Sequence, residues 1–200
     1  MVDTLHPRFE APYIAPPWEK QQFFFEGLST PADIYIHPET MKKHRENLFQ
    51  KLHPSMFDGI AINMNGGLFI MQKYLEYWKE EFEKRELPIF PIEYHRVNGG
   101  FAARIDKAVP YEAKGLTLLV GEDVYDSGGT GKAILKDAPM ATIMVAVHKT
   151  GVPNQISIPR IFAAVKTGNL WLGGNGMNLG GNYPDQESRN YGGILVNPYV

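Results

Sequence analysis

Residues 118–131 read Leu118-Leu119-Val120-Gly121-Glu122-Asp123-Val124-Tyr125-Asp126-Ser127-Gly128-Gly129-Thr130-Gly131. The apolar run at 116–120 (LTLLV) has the character of a buried strand, and it leads directly into two adjacent acids. A third acid, Asp126, precedes small residues, and a helix is expected to start at Lys132. Small residues let several backbone N–H groups converge at a helix N-terminus, a cradle suited to a terminal phosphate. The hydroxyls of Ser127 and Thr130 add donors. Carboxylates at 122 and 123 do not bind phosphate. They accept hydrogen bonds from vicinal hydroxyls of a sugar, or hold Mg2+ through water. A phosphate cradle beside a pair of acids fits a sugar phosphate. Two other phosphate signatures fail. A Walker loop ending at Gly131-Lys132 would need Gly at 126 and Ser or Thr at 133, where Asp126 and Ala133 stand. A GxGxxG fingerprint beginning at Gly174 and Gly176 has Leu179 at its third glycine position.

Outward from this stretch, apolar strands alternate with helical segments. Upstream, Pro38 to Leu52 reads as a helix with Met41, Leu48 and Leu52 on one stripe, and Phe57 to Ile62 (FDGIAI) reads as a short buried strand. A second helix follows Gly66 and Gly67, with Leu68, Met71, Leu75, Trp78 and Phe82 as its apolar face. Leu87 to Tyr94, Met140 to Val147 and Arg160 to Val165 are further strand candidates. Continuous apolar strands between helices predict an α/β fold, a central parallel sheet flanked by helices, with ligands beyond the carboxyl ends of the strands. The proline- and aromatic-rich first 31 residues read as an arm laid over the body. Residues 168–193 are glycine-rich, which fits either a mobile loop or backbone shaped closely around a ligand. The expected division is an N-terminal arm at 1–37, a core at 38–167 and a C-terminal segment at 168–200, the two terminal segments building a small hood.

Composition excludes several classes of function. The net charge is −2, which argues against general binding to nucleic acid or an anionic membrane. There is no cysteine, hence no disulfide, thiolate metal site or cysteine nucleophile. No apolar run is long enough to span a bilayer, and MVDTLHPRFEAP lacks the pattern of a secretory signal, so a cytoplasmic location is expected.

VGEDVYDSGGT, residues 120–130, resembles the ribosyl-phosphate binding motif of the type I phosphoribosyltransferases: two acids, two intervening positions, an acid, then Ser-Gly-x-Thr. Other segments resemble the hypoxanthine-guanine branch of that family, and the resemblance runs from about 57 to 196. It implies transfer of 5-phosphoribosyl from phosphoribosyl pyrophosphate (PRPP) to hypoxanthine or guanine, giving IMP or GMP plus pyrophosphate, with Mg2+ as cofactor and a homodimer or homotetramer as the assembly. It assigns Glu122, Asp123, Asp126, Ser127, Gly128, Gly129 and Thr130 to the ribose phosphate. Asp126 would be the catalytic proton acceptor near purine N7. INMNGGLF (62–69) resembles the pyrophosphate loop, placing Met64, Asn65 and Gly66 there, with Met64–Asn65 at the pair often joined by a cis peptide. Arg189 resembles the family's pyrophosphate-contacting arginine. Lys149 would read the purine 6-oxo group, while Trp171 would stack on the base and the Leu172 backbone would bond its edge. Glu122, Asp123 and Asn178 would be the metal contacts. The sequence departs from the family at Asn65, usually Lys, and at Asn178, usually Asp. The family's Ser-Tyr lid pair is not evident, so residues 95–110, with Gly99-Gly100 as hinges, stand in as the lid. The remaining readings are a phosphoribosyltransferase for xanthine or another nucleobase, and a non-catalytic regulator that binds PRPP or a nucleotide.

Overall fold

The protein was studied as a computed structural model that describes residues 13–14, 21–23, 25–26, 32–96, 103–180 and 185–197. Most of the N-terminal arm and the expected hinge at Gly99-Gly100 lie outside these residues.

Strands β1 (Tyr13–Ile14), β4 (Gly59–Asn63), β5 (Ile89–Arg96), β6 (Ala103–Lys107), β7 (Leu118–Tyr125), β8 (Thr142–Lys149) and β9 (Ile161–Thr167) form a seven-stranded sheet in the order β1-β9-β8-β7-β4-β5-β6. Every pairing is parallel except β5 with β6, which is antiparallel. The apolar strands are continuous because both faces are covered. On one face Ile60, Ile62, Leu119, Met144 and Ala146 pack with α1 (Pro38–Lys51) and α2 (Leu68–Tyr77). On the other, Ala61, Leu118, Val120, Ile143 and Val145 pack with Ile134 of α4 (Gly129–Asp137).

The sequence expectations for the core hold in outline and shift at several boundaries. The expected helix beyond Gly67 is two helices, α2 and α3 (Lys79–Arg85), meeting at Trp78, whose indole N–H donates to Phe49 O at 3.1 Å. Leu68 is exposed, and the buried face of α2 is Ile70, Met71 and Tyr74. Close packing of the helix start on β7 sets that rotation: a Cβ at Gly121 would lie 2.0 Å from Met71 Cγ. Pro91 sits inside β5, where it is tolerated because β6 pairs with β5 only from Glu93 onward.

A second sheet has four strands in the order β10-β11-β3-β2, formed by β2 (Gln21–Phe23), β3 (Ala32–Ile36), β10 (Leu172–Gly173) and β11 (Ile194–Val196). Strands from the two ends of the sequence meet where β3 pairs antiparallel with β11. Phe25, Ala32, Leu179 and Leu195 form its own apolar cluster. Arg45 of α1 braces the glycine-rich segment: it donates to Asn175 Oδ1, and to Gly192 O at 3.0 Å. Asn175 adopts φ 49° and passes its amide to Gly192 O and Gly193 O. These bonds tie the glycine-rich segment to α1 and to the start of β11. The short α5 (Asp185–Asn190) leads into β11.

Candidate active site

β7 runs further than its apolar stretch suggests. Its neighbour β8 keeps pairing with it, Glu122 against Val145 and Tyr125 against His148, so both acids lie within the strand rather than after it. The chain then turns at Gly128, where φ is +86° and a Cβ would meet Ile156 O at 2.8 Å. A glycine is required on both counts. Helix α4 begins at Gly129, not at Lys132, so Gly129 and Thr130 are its first residues and their N–H groups have no intrahelical acceptor. Residues 122–131 line a cavity of about 300 Å3 that also takes in Lys149, Trp171, Leu172 and Asn178.

Glu122 and Asp123 stand together at the floor of this cavity. Burial, and then the Asp123 charge, push the Glu122 carboxyl well above its ordinary range, although Asn63 Nδ2 donates to it at 2.5 Å. Burial also raises Asp123, against the opposing pull of its contact with Glu122, the Val124 N–H and the positive charge of Arg189. A pair of carboxyls that resists holding two negative charges suits a cation or sugar hydroxyls. The raised values mean that the native chain binds more protons here than the unfolded chain. Their stabilising contribution is complete below the ordinary carboxylate range and is lost as pH rises through the folded values. Glu122→Gln is therefore expected to stabilise the free protein by about 1–2 kcal/mol near pH 8 and by much less near pH 5. Urea unfolding at the two pH values checks this, and parallel losses in wild type and variant would refute it.

The loop after β4 approaches from the other side. A Cβ at Gly66 would come within 2.6 Å of Glu122 Oε1 and 2.7 Å of Asp123, and one at Gly67 within 1.9 Å of Gly121 O. This double glycine is thus more than a helix entry: it lets the loop touch the acids. The Met64–Asn65 peptide is trans, which corrects the expectation carried by the resemblance. Met64, Asn65, Gly66 and Arg189 line a second cavity of about 470 Å3, which shares Asn65 and Gly66 with the first. The Arg189 guanidinium donates to Gly176 O at 2.8 Å and to Asn65 O at 3.3 Å.

At the far end of the first cavity, Lys149 Nζ lies 3.3 Å from Asp126 Oδ2 and about 6.0 Å from the centre of the Trp171 ring. Trp171 is 43% exposed, with its indole N–H donating to Leu179 O at 2.6 Å. Leu172 lies in β10, an edge strand of the small sheet, so one side of its backbone has no strand partner among the described residues. Asn178 is exposed on the cavity wall, and its Oδ1 accepts the Gly180 N–H at 2.8 Å, which leaves that oxygen one lone pair.

Three contributors were given no role of their own in the sequence, although Asn63 lies in the 62–69 segment and His95 at the start of the 95–110 lid. Asn63 ties β5 to Glu122, exchanging hydrogen bonds with the Tyr94 backbone at 3.0 and 3.1 Å. Gln155 Nε2 donates to Asp126 O at 2.5 Å and Lys149 O at 2.8 Å, clamping together the loops that carry the ion pair. His95 lines the first cavity and touches Asn65. Each is an isolated polar residue with no local pattern. The only available signal was that Asn63 ends an apolar strand.

No protein-family model matches the sequence, and no curated protein sequence matches it. Among solved structures it is similar to a hypoxanthine phosphoribosyltransferase from Staphylococcus aureus, with TM-score 0.65 and 17% identity over 83% of this chain and 91% of that one. A hypoxanthine-guanine-xanthine phosphoribosyltransferase matches with TM-score 0.62 and 17% identity over 82% of this chain and 94% of that one. A variant of the Trypanosoma cruzi hypoxanthine phosphoribosyltransferase, complexed with its product IMP, matches with TM-score 0.62 and 14% identity over 82% and 91%. Sheet order, the glycine-bounded turn after β7 and these matches agree: the chain has the type I phosphoribosyltransferase fold, in the form seen in the hypoxanthine phosphoribosyltransferases.

Proposed function

We propose that the protein transfers a 5-phosphoribosyl group from PRPP to N9 of a 6-oxopurine, hypoxanthine or guanine, releasing pyrophosphate. One observation carries this reading. A single cavity joins the 122–130 segment, suited to a ribose phosphate, to Lys149, Trp171 and Leu172, suited to a flat base with an oxygen acceptor. The second cavity, behind the shared Asn65 and Gly66, is the compartment for the diphosphate.

In this reading the 5′-phosphate sits against the N–H groups of residues 127–130 and the hydroxyl of Thr130, at the start of α4. Glu122 and Asp123 accept the ribose diol. The C1′–O bond to pyrophosphate breaks as the C1′–N9 bond forms. Positive charge grows on the ribose, beside carboxylates that favour it. The base loses its proton to Asp126, and Lys149 swings from its ion pair toward the 6-oxo group. A cation there disfavours adenine, whose amino group cannot accept a hydrogen bond. Glu122, Asp123 and Asn178 would hold Mg2+. The raised carboxyls fit this, because they are costly as bare charges, and the bound ion would offset the charge gathering on pyrophosphate.

A purine screen with PRPP and Mg2+, following pyrophosphate release, tests the reading. Turnover is expected with hypoxanthine or guanine and not with adenine. Thr130→Val is expected to weaken GMP binding about tenfold, the scale of one lost hydrogen bond to a charged group, while pyrophosphate binding stays unchanged. No release with any purine, or full GMP affinity in Thr130→Val, would overturn the assignment of this segment.

A further inference from the structure

Strand β4 ends on a polar residue that is almost fully enclosed: Asn63 is 1% exposed. The β4–β5 ladder closes at the pairing of Asn63 with Ile92, and Met64 N donates to Ile92 O at 2.9 Å. Past that point the buried Tyr94 still has peptide groups to satisfy on the β4 side, and the Asn63 side chain takes them. Its Oδ1 accepts from Tyr94 N at 3.1 Å, and its Nδ2 donates to Tyr94 O at 3.0 Å. The Asn63 carbonyl meanwhile accepts Gly67 N at 2.7 Å and Gly66 N at 3.3 Å, so the same residue holds the double-glycine loop.

Tyr94 uses one of the two amide hydrogens. The other is donated to Glu122 Oε2 at 2.5 Å. Ile62 pairs with Gly121, so Asn63 and Glu122 are the next residues on neighbouring parallel strands. The amide cannot be reversed. With Oδ1 and Nδ2 exchanged, an oxygen would face two acceptors, Tyr94 O and Glu122 Oε2, and an N–H would face Tyr94 N. The Tyr94 backbone therefore dictates that a donor points at Glu122. The other carboxyl oxygen, Oε1, lies on the side of Gly66, where a Cβ would come within 2.6 Å of it. Glu122 and Gly66 line the first cavity, whereas Asn63 lies behind them.

We infer that Asn63 is a positioning residue for Glu122 and, on the phosphoribosyl-transfer reading above, sets the preference of the site for a sugar with an intact diol. A carboxyl free to rotate must be ordered when the sugar binds, which costs side-chain entropy. Glu122 is ordered beforehand by a partner that the ligand never touches. The benefit appears only with a sugar that carries the hydroxyl Glu122 accepts.

The test titrates GMP, 2′-deoxy-GMP and 3′-deoxy-GMP into wild type, Asn63→Ala, Asn63→Leu and Glu122→Ala. Wild type is expected to prefer GMP over at least one deoxynucleotide by about tenfold, the scale of one hydrogen bond to a carboxyl oxygen. In both Asn63 variants that preference is expected to shrink to about threefold or less through lost GMP affinity, with the same deoxynucleotide bound within about twofold of wild type. Adding Asn63→Ala to Glu122→Ala is expected to leave the ratio unchanged. Alanine leaves room for water at the Tyr94 peptide, so that variant decides the matter if the leucine variant does not fold. A full preference for GMP in Asn63→Ala overturns the inference. So does equal weakening of all three nucleotides, which would reduce Asn63 to its bonds with Tyr94, and so does a further fall of the ratio in the double variant. A wild type that binds all three nucleotides alike also overturns it, while sparing the phosphate and base assignments. If wild type binds none of them, the phosphoribosyl-transfer reading itself fails, an outcome distinct from the others.

Discussion

Gly67→Ala is expected to destabilise the protein by more than about 3 kcal/mol and to abolish measurable turnover. The added Cβ would lie 1.9 Å from Gly121 O and 2.4 Å from Gly121 C, so the clash is backbone against backbone. β7 cannot yield, because β4 and β8 hold it on either side. The start of α2 must move instead, carrying Gly66 away from Glu122 and Asp123. Gly115→Ala is the control: a Cβ there meets nothing within 4 Å, and the change is expected to stay within about 0.5 kcal/mol. Urea midpoints and purine turnover for the two variants measure the difference. Similar stability in both would mean that the close approach of α2 to β7 does not constrain the fold.

Asp126→Asn is expected to lower turnover about 100- to 1000-fold, the range for loss of a positioned general base. On the proposed reading PRPP affinity should change little, because residues 127–130, assigned to the phosphate, and Glu122 and Asp123, assigned to the diol, are untouched. The isosteric amide keeps the hydrogen bond from Gln155 to the backbone carbonyl of residue 126 and removes the charge facing Lys149. Steady-state kinetics with the purine varied, alongside calorimetry with PRPP, separates these effects. Wild-type turnover in the variant would remove Asp126 from the proton-acceptor role.

The parts of the fold legible in the sequence are those encoded in contiguous residues. LTLLV announces a strand buried on both faces, and the acids and small residues after it announce a turn that holds a ligand. The boundaries shifted where a neighbour decided them. β7 extends to Tyr125 because β8 is there to pair with it, and α4 starts at Gly129 because the positive φ of Gly128 completes the turn early. The rotation of α2, which leaves Leu68 exposed and buries Met71, comes from the absence of a side chain at Gly121, far away in sequence. The individual contacts of Asn63, Gln155 and His95 were missed for a related reason. Each acts across a sequence gap through one side chain, with no periodicity to mark it. The 122–130 segment and Lys149 line one cavity, and the Met64–Asn65 bond, which the resemblance placed at a pair often joined in cis, is trans.

The pairing of β3 with β11 sets an order on how the protein is made. A ribosome releases β3 well before β11, with synthesis of the intervening chain taking on the order of ten seconds. During that interval the strands from β4 to β9 can assemble, and with them the turn at Gly128 and the start of α4. The wall carrying Trp171 and Leu172 must wait for β11, so on the proposed reading the segment assigned to the phosphorylated sugar would form before the one assigned to the purine.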